Sequence, residues 1–291
     1  MSLAIIINPV SGGGGDRGRA RAARARAALA AAGEEGEIFL SERRGHAREL
    51  AAAAIARGAT VVASWGGDGT MNEVASAVVG TAASLSLVPS GSGNGLARTL
   101  GVSLDPVRAL IDACRATPRA IDAGRCGVDW FFSVAGIGLD EHVATAFDRA
   151  GNSRRGFVTY VRMSLRALAT YAPRHYTIDG ARTARPALLV TVANAREFGN
   201  GALIAPAARL DDGLLDLVVV QEASRLASIL ALPRLFTGGI GNVRGVSMRK
   251  TPRVVIEDER PIPYHLDGEP KAGAVRLELS VHPSALRVSV R

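Results

Sequence analysis

One carboxylate stands among three glycines in "SWGGDGTMNEVA", residues 64–75. The stretch joins an apolar run to a helix-like run. Glycines at such a junction let the backbone turn sharply and expose N–H groups beside a helix N-terminus, an arrangement that binds phosphate. On this reading Gly66, Gly67, Asp68 and Gly69, with a helix starting at Thr70, hold phosphate oxygens. Asn8, Ser41, Asn72 and Ser92 are candidate polar contacts. Asp68 is the unusual member: a carboxylate repels phosphate unless Mg²⁺ bridges the two or it has a proton to take. Thr70 and Glu73 have the spacing of a capping box, which would start the helix locally.

The pattern recurs. "NPVSGGGG" (residues 8–15) follows one apolar run and "PSGSGNGLA" (89–97) follows another. Three such loops at the C-terminal ends of parallel strands would sit where open α/β sheets bind ligands. A Walker A loop is excluded, since neither lysine lies near a glycine-rich loop, and "GGDGTMN" does not fit GxGxxG. Two more acidic clusters come later, "RLDDGLLD" (209–216) and "LDGE" (266–269). Asp-Gly is a strong turn signal. A turn accounts for Asp267-Gly268 but not for the acid at Glu269. His46, His142, His175, His265 and His282 form no ligand-spaced pair and read as surface or satisfied histidines.

These residues need elements to carry them. Strands are expected at residues 3–7, 37–40, 60–65 and 84–88, with helices at 17–32, 45–57, 70–79, a short one ending at 100, and one capped by Asp105 with Pro106 in its first turn. The arginines of the 17–32 helix read as a solvated face. Alternating strands and helices argue for a parallel sheet covered on both faces. Beyond about residue 124, strand-like runs follow one another at 130–135, 176–178, 188–193, 214–220, 253–257, 275–279 and 286–290. Helical stretches interrupt them near 156–170 and 223–236. The expected fold is an α/β N-terminal domain (residues 1–123) and a mainly antiparallel β-sandwich C-terminal domain (124–291) whose last strand is free to return to the first.

Composition restricts the choice. The 291 residues are 47% hydrophobic with net charge +8, and all but two of the 35 basic residues are arginine. The charge suits nucleic acid, an anionic membrane or phosphorylated substrates, though codon preference explains most of it. No apolar run approaches the roughly 18–20 residues that span a bilayer. The start lacks a signal-peptide pattern, and Cys114 and Cys126 suggest neither a disulfide framework nor a zinc site. A soluble cytoplasmic protein is expected.

In order along the chain, these motifs resemble the diacylglycerol kinase/sphingosine kinase superfamily of soluble lipid kinases, distant relatives of NAD kinases. "IIINPVSGGGG", "SERRGHA" (41–47, with Ser41 for the usual threonine), "GGDGTMNEV", "PSGSGNGLA", "FFSVAGIGLDEHV" (131–143), "APAARLDDGLLDLVVV" (205–220) and "PIPYHLDGEP" (261–270) carry the likeness. GGDGT alone fits NAD kinase as well; with LDDGLLD and a late LDGE it is specific for the lipid kinases. The resemblance implies an ATP- and Mg²⁺-dependent transfer of phosphate to a lipid hydroxyl, in a cleft between the two domains. It makes Asp68 a partner of Mg²⁺-ATP or of the proton transfer. It makes one of Asp267 and Glu269 the general base, with Glu269 preferred, Asp267 assisting and the sequence unable to separate them, and places a structural Mg²⁺ on Asp212 and the carbonyls of Arg209 and Leu214. The third loop departs from the bacterial Gly-Thr-x-Asn-Asp, reading Gly91-Ser92-Gly93-Asn94-Gly95, closer to the sphingosine and ceramide kinase version.

A lipid kinase must reach the bilayer. Residues 152–174 mix Arg154, Arg155, Arg162 and Arg166 with apolar residues at helical spacing, which suits a core-packed helix or an interfacial one. Peripheral contact with the inner membrane surface is expected, and no nucleic acid. The other readings are an NAD kinase-like enzyme and a non-catalytic basic nucleotide-binding regulator.

Overall fold

A computed structural model describes residues 2–11, 17–149 and 157–290. The chain forms two compact units, one of residues 1–121 with 284–291 and the other of residues 122–283.

The first unit alternates strand and helix: β1 (Leu3–Ile7), α1 (Arg17–Ala32), β2 (Glu37–Leu40), α2 (His46–Ala56), β3 (Val61–Gly66), α3 (Asp68–Val78), β4 (Ser84–Pro89), α4 (Gly95–Thr99) and α5 (Pro106–Arg115). The strands are parallel in the order β4-β3-β1-β2. Every residue of β1, β3 and β4 is buried, as a parallel sheet covered on both faces demands. Leu3, Ile5, Ile7, Ala63, Trp65 and Val88 pack with Ala25 and Leu29 of α1 and Leu110 of α5. Asp105 caps α5, accepting the Arg108 N–H at 2.7 Å, with Pro106 in the first turn.

β5 (Arg119–Cys126) carries the chain into the second unit. There follow β6 (Asp129–Phe131), β7 (Val134–Gly138), α6 (Leu139–Arg149), α7 (Phe157–Thr170), β8 (Thr177–Ile178), β9 (Ala181–Arg182), β10 (Ala187–Ala193), β11 (Glu197–Gly199), β12 (Ala202–Leu203), β13 (Leu215–Gln221), α8 (Arg225–Ala231), α9 (Pro233–Thr237), β14 (Val246–Thr251), β15 (Arg253–Leu266) and β16 (Glu269–Val288). Its strands pair antiparallel in the order β14-β13-β10-β7-β15-β16. Phe131, Val190, Val192, Leu215, Val254 and Ile256 lie in its main core. The end of β16 belongs to the first unit, where Val288 pairs in parallel with Leu85 of β4.

Several elements differ from the sequence reading. The strands expected at 275–279 and 286–290 are parts of one long β16, and β15 runs on to Leu266 rather than stopping at residue 257. Helix α6 and strands β5 and β14 were not expected. α3 begins at Asp68, not Thr70. Arg154 and Arg155 lie outside the described residues. No described helix is long and apolar enough to cross a membrane.

Candidate functional site

In the first unit the strand order reverses between β1 and β3, since β2 lies on one side of β1 while β3 and β4 lie on the other. Loops leaving the C-terminal ends of strands at such a point diverge and open a crevice for ligand. The loop after β1 carries Asn8, and β3 ends at Gly66 with Gly67 as the link to α3. The loop after β4 carries Ser90–Asn94. All three predicted glycine-rich motifs therefore stand on adjacent strands.

The bonds between these loops show why the glycines cluster around one acid. Asp68 Oδ1 accepts the Gly95 N–H at 2.8 Å and Oδ2 accepts the Asn94 N–H at 2.9 Å. The carboxylate thus holds the start of α4, in the neighbouring loop. Gly67 and Gly91 lie back to back. A Cβ on Gly91 would fall 2.6 Å from Gly67 Cα, so only glycine fits. A Cβ on Gly66 would strike Thr70 at 2.4 Å. Asn94, at φ +54°, clasps its own loop, its Oδ1 taking the Gly91 N–H and its Nδ2 donating to the Gly91 carbonyl.

The remaining predicted residues take distinct places. Asn8 Nδ2 donates to Thr70 Oγ at 2.9 Å, and Asn8 Oδ1 accepts the Val10 N–H. Thr70 and Ser41 are buried. Ser41 follows β2, with its N–H on the Ile7 carbonyl. Asn72 lies on α3, its Oδ1 3.4 Å from the Ser76 hydroxyl. Gly69 is in the first turn of α3, and Ser92 is half-buried in the third loop. The capping box at Thr70–Glu73 does not form. Gly67 is the N-cap of α3, with no side-chain cap, and Glu73 instead accepts the N–H groups of Gly45 and Ala47 at the start of α2, at 2.9 and 3.0 Å. Arg21 was missed: from the supposedly solvated face of α1 it reaches back to the Asn8 and Ser11 carbonyls at 2.6 and 2.5 Å.

The second unit separates the two acids of LDGE. Asp267-Gly268 is a two-residue turn between β15 and β16, with φ +49° and +83° and Leu266 paired to Glu269. The Asp267 carboxylate is buried and accepts three backbone N–H groups, from Phe132 at 2.9 Å, Ser133 at 2.8 Å and Val134 at 3.0 Å. The other side of that loop is held by fully buried Asn194, whose Nδ2 donates to the Phe132 carbonyl at 3.0 Å. Asp267 is thus built into the backbone. The Glu269 side chain is 32% exposed, 3.3 Å from Lys271 Nζ.

His265 supports the same turn. Its Nδ1 accepts the Gly268 N–H at 3.1 Å, and its Nε2 lies 2.9 Å from Asp140 Oδ2. Burial alone would push its pKa down, but the Asp140 carboxylate outweighs this and raises it. A Cβ on Gly136 would fall 2.1 Å from Asp140 and 2.2 Å from His265, so Gly136 makes room for the pair.

The loop at residues 209–214 is already charge-balanced. Asp212 Oδ2 pairs with Lys250 Nζ at 2.7 Å, and Asp212 Oδ1 accepts the Leu214 N–H at 3.1 Å. Lys250 also reaches Asp216 at 3.2 Å, while Arg209 pairs with Asp211. Burial raises the Asp216 pKa against the pull of Lys250. Burial opposes the charge on Lys250, but bonds to Asp212 and Asp216 prevail and raise its pKa. No three His, Cys, Asp or Glu side chains among the described residues could together hold a metal ion. With an ammonium on the carboxylate, these residues do not fit a divalent ion as they stand.

One unit gathers glycine-rich loops at a switch point and the second is antiparallel, the organisation expected of a soluble lipid kinase. The comparisons agree. The diacylglycerol kinase catalytic domain family matches residues 2–126, and the YegS C-terminal NAD kinase beta sandwich-like domain matches residues 133–290. A YegS-like probable lipid kinase of Pseudomonas fluorescens is 32% identical, covering 89% of this chain and 86% of its own. A diacylglycerol kinase of Mycobacterium tuberculosis is 33% identical over 83% of this chain and 80% of its own. The crystal structure of a diacylglycerol kinase from Bacillus anthracis superposes with a TM-score of 0.74 at 21% identity, covering 100% and 97% of the two chains. The chain belongs to the diacylglycerol kinase family of lipid kinases, with the YegS-type C-terminal domain.

Proposed function

We propose that this lipid kinase moves the γ-phosphoryl group of ATP to a hydroxyl of diacylglycerol or a closely related lipid. The observation that carries the reading is α3, which starts at the switch point with Gly67, a residue that has no side chain to cap it, as its N-cap. Such a terminus takes phosphate. Asp68 keeps the loops after β3 and β4 at the spacing the phosphates need, and Asn8 ties the loop after β1 to Thr70. ATP would bring Mg²⁺ as counter-ion to its phosphates, which supplies charge neutralisation. Glu269, the acid of LDGE whose side chain is partly exposed beside Lys271 Nζ at 3.3 Å, is the base. As the lipid oxygen bonds to the γ-phosphorus and the bond to the ADP oxygen breaks, the hydroxyl proton passes to Glu269. Lys271 orients that carboxylate. The lipid reaches the enzyme at a membrane surface.

The test is transfer of labelled γ-phosphate from ATP to lipids in mixed micelles, with diacylglycerol, a sphingoid base, ceramide and NAD as acceptors. Label in diacylglycerol is expected, and label in the sphingoid base or ceramide would name the acceptor within the same reading. Label in NAD with none in any lipid would overturn it.

A further inference from the structure

Helix α8 buries none of its residues. Its apolar side chains nevertheless fall at i, i+3 and i+4, the spacing of a single helical face. Leu226 is 67% exposed, Ile229 44% and Leu230 68%. In most surface helices that stripe faces the core; here it faces outward. The helix is well specified locally, because Ser224 caps it by accepting the Ala227 N–H at 3.2 Å. α9 follows, also without a buried residue. A contiguous apolar face of this kind marks an interaction site.

The charge around it indicates the partner. From residue 223 to 248 the chain has no Asp or Glu and three arginines, while beyond them Arg249, Lys250 and Arg253 are neutralised by Asp179, Asp212 with Asp216, and Glu278. Arg225, Arg234 and Arg244 are exposed. α7 packs against α8 and adds exposed Arg162, Leu165 and Arg166, in a segment with no acid between residues 157 and 178. An apolar stripe rimmed by cations of one sign fits the interface of an anionic bilayer, with leucines in the acyl boundary and guanidinium groups among the headgroups. A protein surface of mixed charge would not call for such one-sided basicity. We propose that α8, with α7 beside it, is the face by which this enzyme docks on anionic membranes. The proposal rests on the lipid-kinase reading for its purpose, but vesicle binding does not depend on turnover.

The test is co-sedimentation of the full chain with phosphatidylcholine vesicles, with and without phosphatidylglycerol, comparing wild type with Leu226→Ser/Leu230→Ser and Arg225→Glu/Arg234→Glu. Wild type should bind the phosphatidylglycerol vesicles and lose affinity as salt rises. The leucine pair should weaken binding about tenfold or more, and the arginine pair at least about 25-fold, near fivefold per charge removed. Both variants should keep wild-type rates on a short-chain acceptor dispersed in solution and lose rate on the same headgroup in vesicles. Variants that bind vesicles like wild type would overturn the docking surface. So would a wild-type dimer in light scattering that Leu226→Ser/Leu230→Ser dissociates, since the face would then be a subunit interface. Vesicle binding that follows the expected order, with no lipid phosphorylated, would overturn the function and leave the docking surface standing.

Discussion

Replacing Asp267 and Glu269 one at a time, by Asn and Gln, should separate structure from chemistry within a single turn. Asp267 accepts three backbone N–H groups at 2.8–3.0 Å inside the fold. Asn at this position puts an NH₂ where one oxygen was, so at least one N–H loses its acceptor and meets a donor. A bond to a charged acceptor is worth about 1.5–3 kcal/mol, and a buried donor left unsatisfied costs about 1–3 kcal/mol more. Asn tolerates the left-handed φ of +49°, so no backbone strain is added. Asp267→Asn should therefore destabilise the chain by roughly 3–5 kcal/mol. Glu269 is a third exposed and bonds Lys271 at the surface, so Glu269→Gln should change stability by less than about 1 kcal/mol. Loss of a general base should nevertheless cost it about 10²–10⁴ in kcat. The assay is urea unfolding of both variants, followed by kcat at a temperature where each is folded. A stable Asp267→Asn with kcat near zero, or an active Glu269→Gln, would refute the division of roles.

Three further outcomes follow from the geometry. Gly91→Ala drives a Cβ to 2.6 Å from Gly67 Cα and forces the loops after β3 and β4 apart; the KM for ATP should rise about tenfold or more, and an unchanged KM would show that the close approach is unnecessary. Lys250→Met strips Asp212 and Asp216 of their counter-charge and should cost about 1–3 kcal/mol. Mg²⁺ should then raise the melting temperature of the variant but not of wild type, and a wild type equally stabilised by Mg²⁺ would overturn the charge-balance reading. Burial, assisted by Asp129, pushes the Cys126 thiol from an ordinary value near 9 up to about 11. Its raised pKa makes stability full below pH 9 and progressively lost between 9 and 11, by up to about 3 kcal/mol. Cys126→Ala should flatten the pH dependence of unfolding in that window, and an unaltered slope would place the loss elsewhere.

The first unit was largely legible because its strands are continuous apolar runs stopped by glycines, and each run is short enough to be a strand. The two long strands of the second unit were not. Pro261 and Pro263 interrupt the reading of β15, and Pro270 and Pro283 that of β16. The β15–β16 pairing itself shifts register between Glu257 and Tyr264, where irregular pairing accommodates prolines. β14 was hidden because it is an exposed edge strand, polar and basic through Arg249 and Lys250, which is how edges are kept from pairing further. Within the site, local spacing misled at Thr70 and Glu73. Glu73 satisfies α2, some 26–28 residues away in sequence, which no window over one helix can show. Arg21 looked like one of many solvated arginines. The lysines carried a usable signal: in a chain that writes nearly all its positive charge as arginine, Lys250 lies on Asp212 and Lys271 on Glu269.

A common device explains why carboxylates recur beside glycines here. Asp68 holds Asn94 and Gly95, Glu73 holds Gly45 and Ala47, Asp122 accepts the Gly213 N–H at 2.7 Å, and Asp267 holds residues 132–134. Each acid satisfies backbone donors of a segment distant in sequence. Glycine-rich backbone has no side chains with which to pack, and its N–H groups cannot go unpaired once buried. A carboxylate that accepts several of them fixes such a loop while leaving its backbone bare, the state in which it can approach phosphate closely. The motif acids of GGDG and LDG are thereby explained as fixtures of the loops they face. Glu269, a third exposed beside Lys271, is the acid of LDGE that we propose for proton transfer.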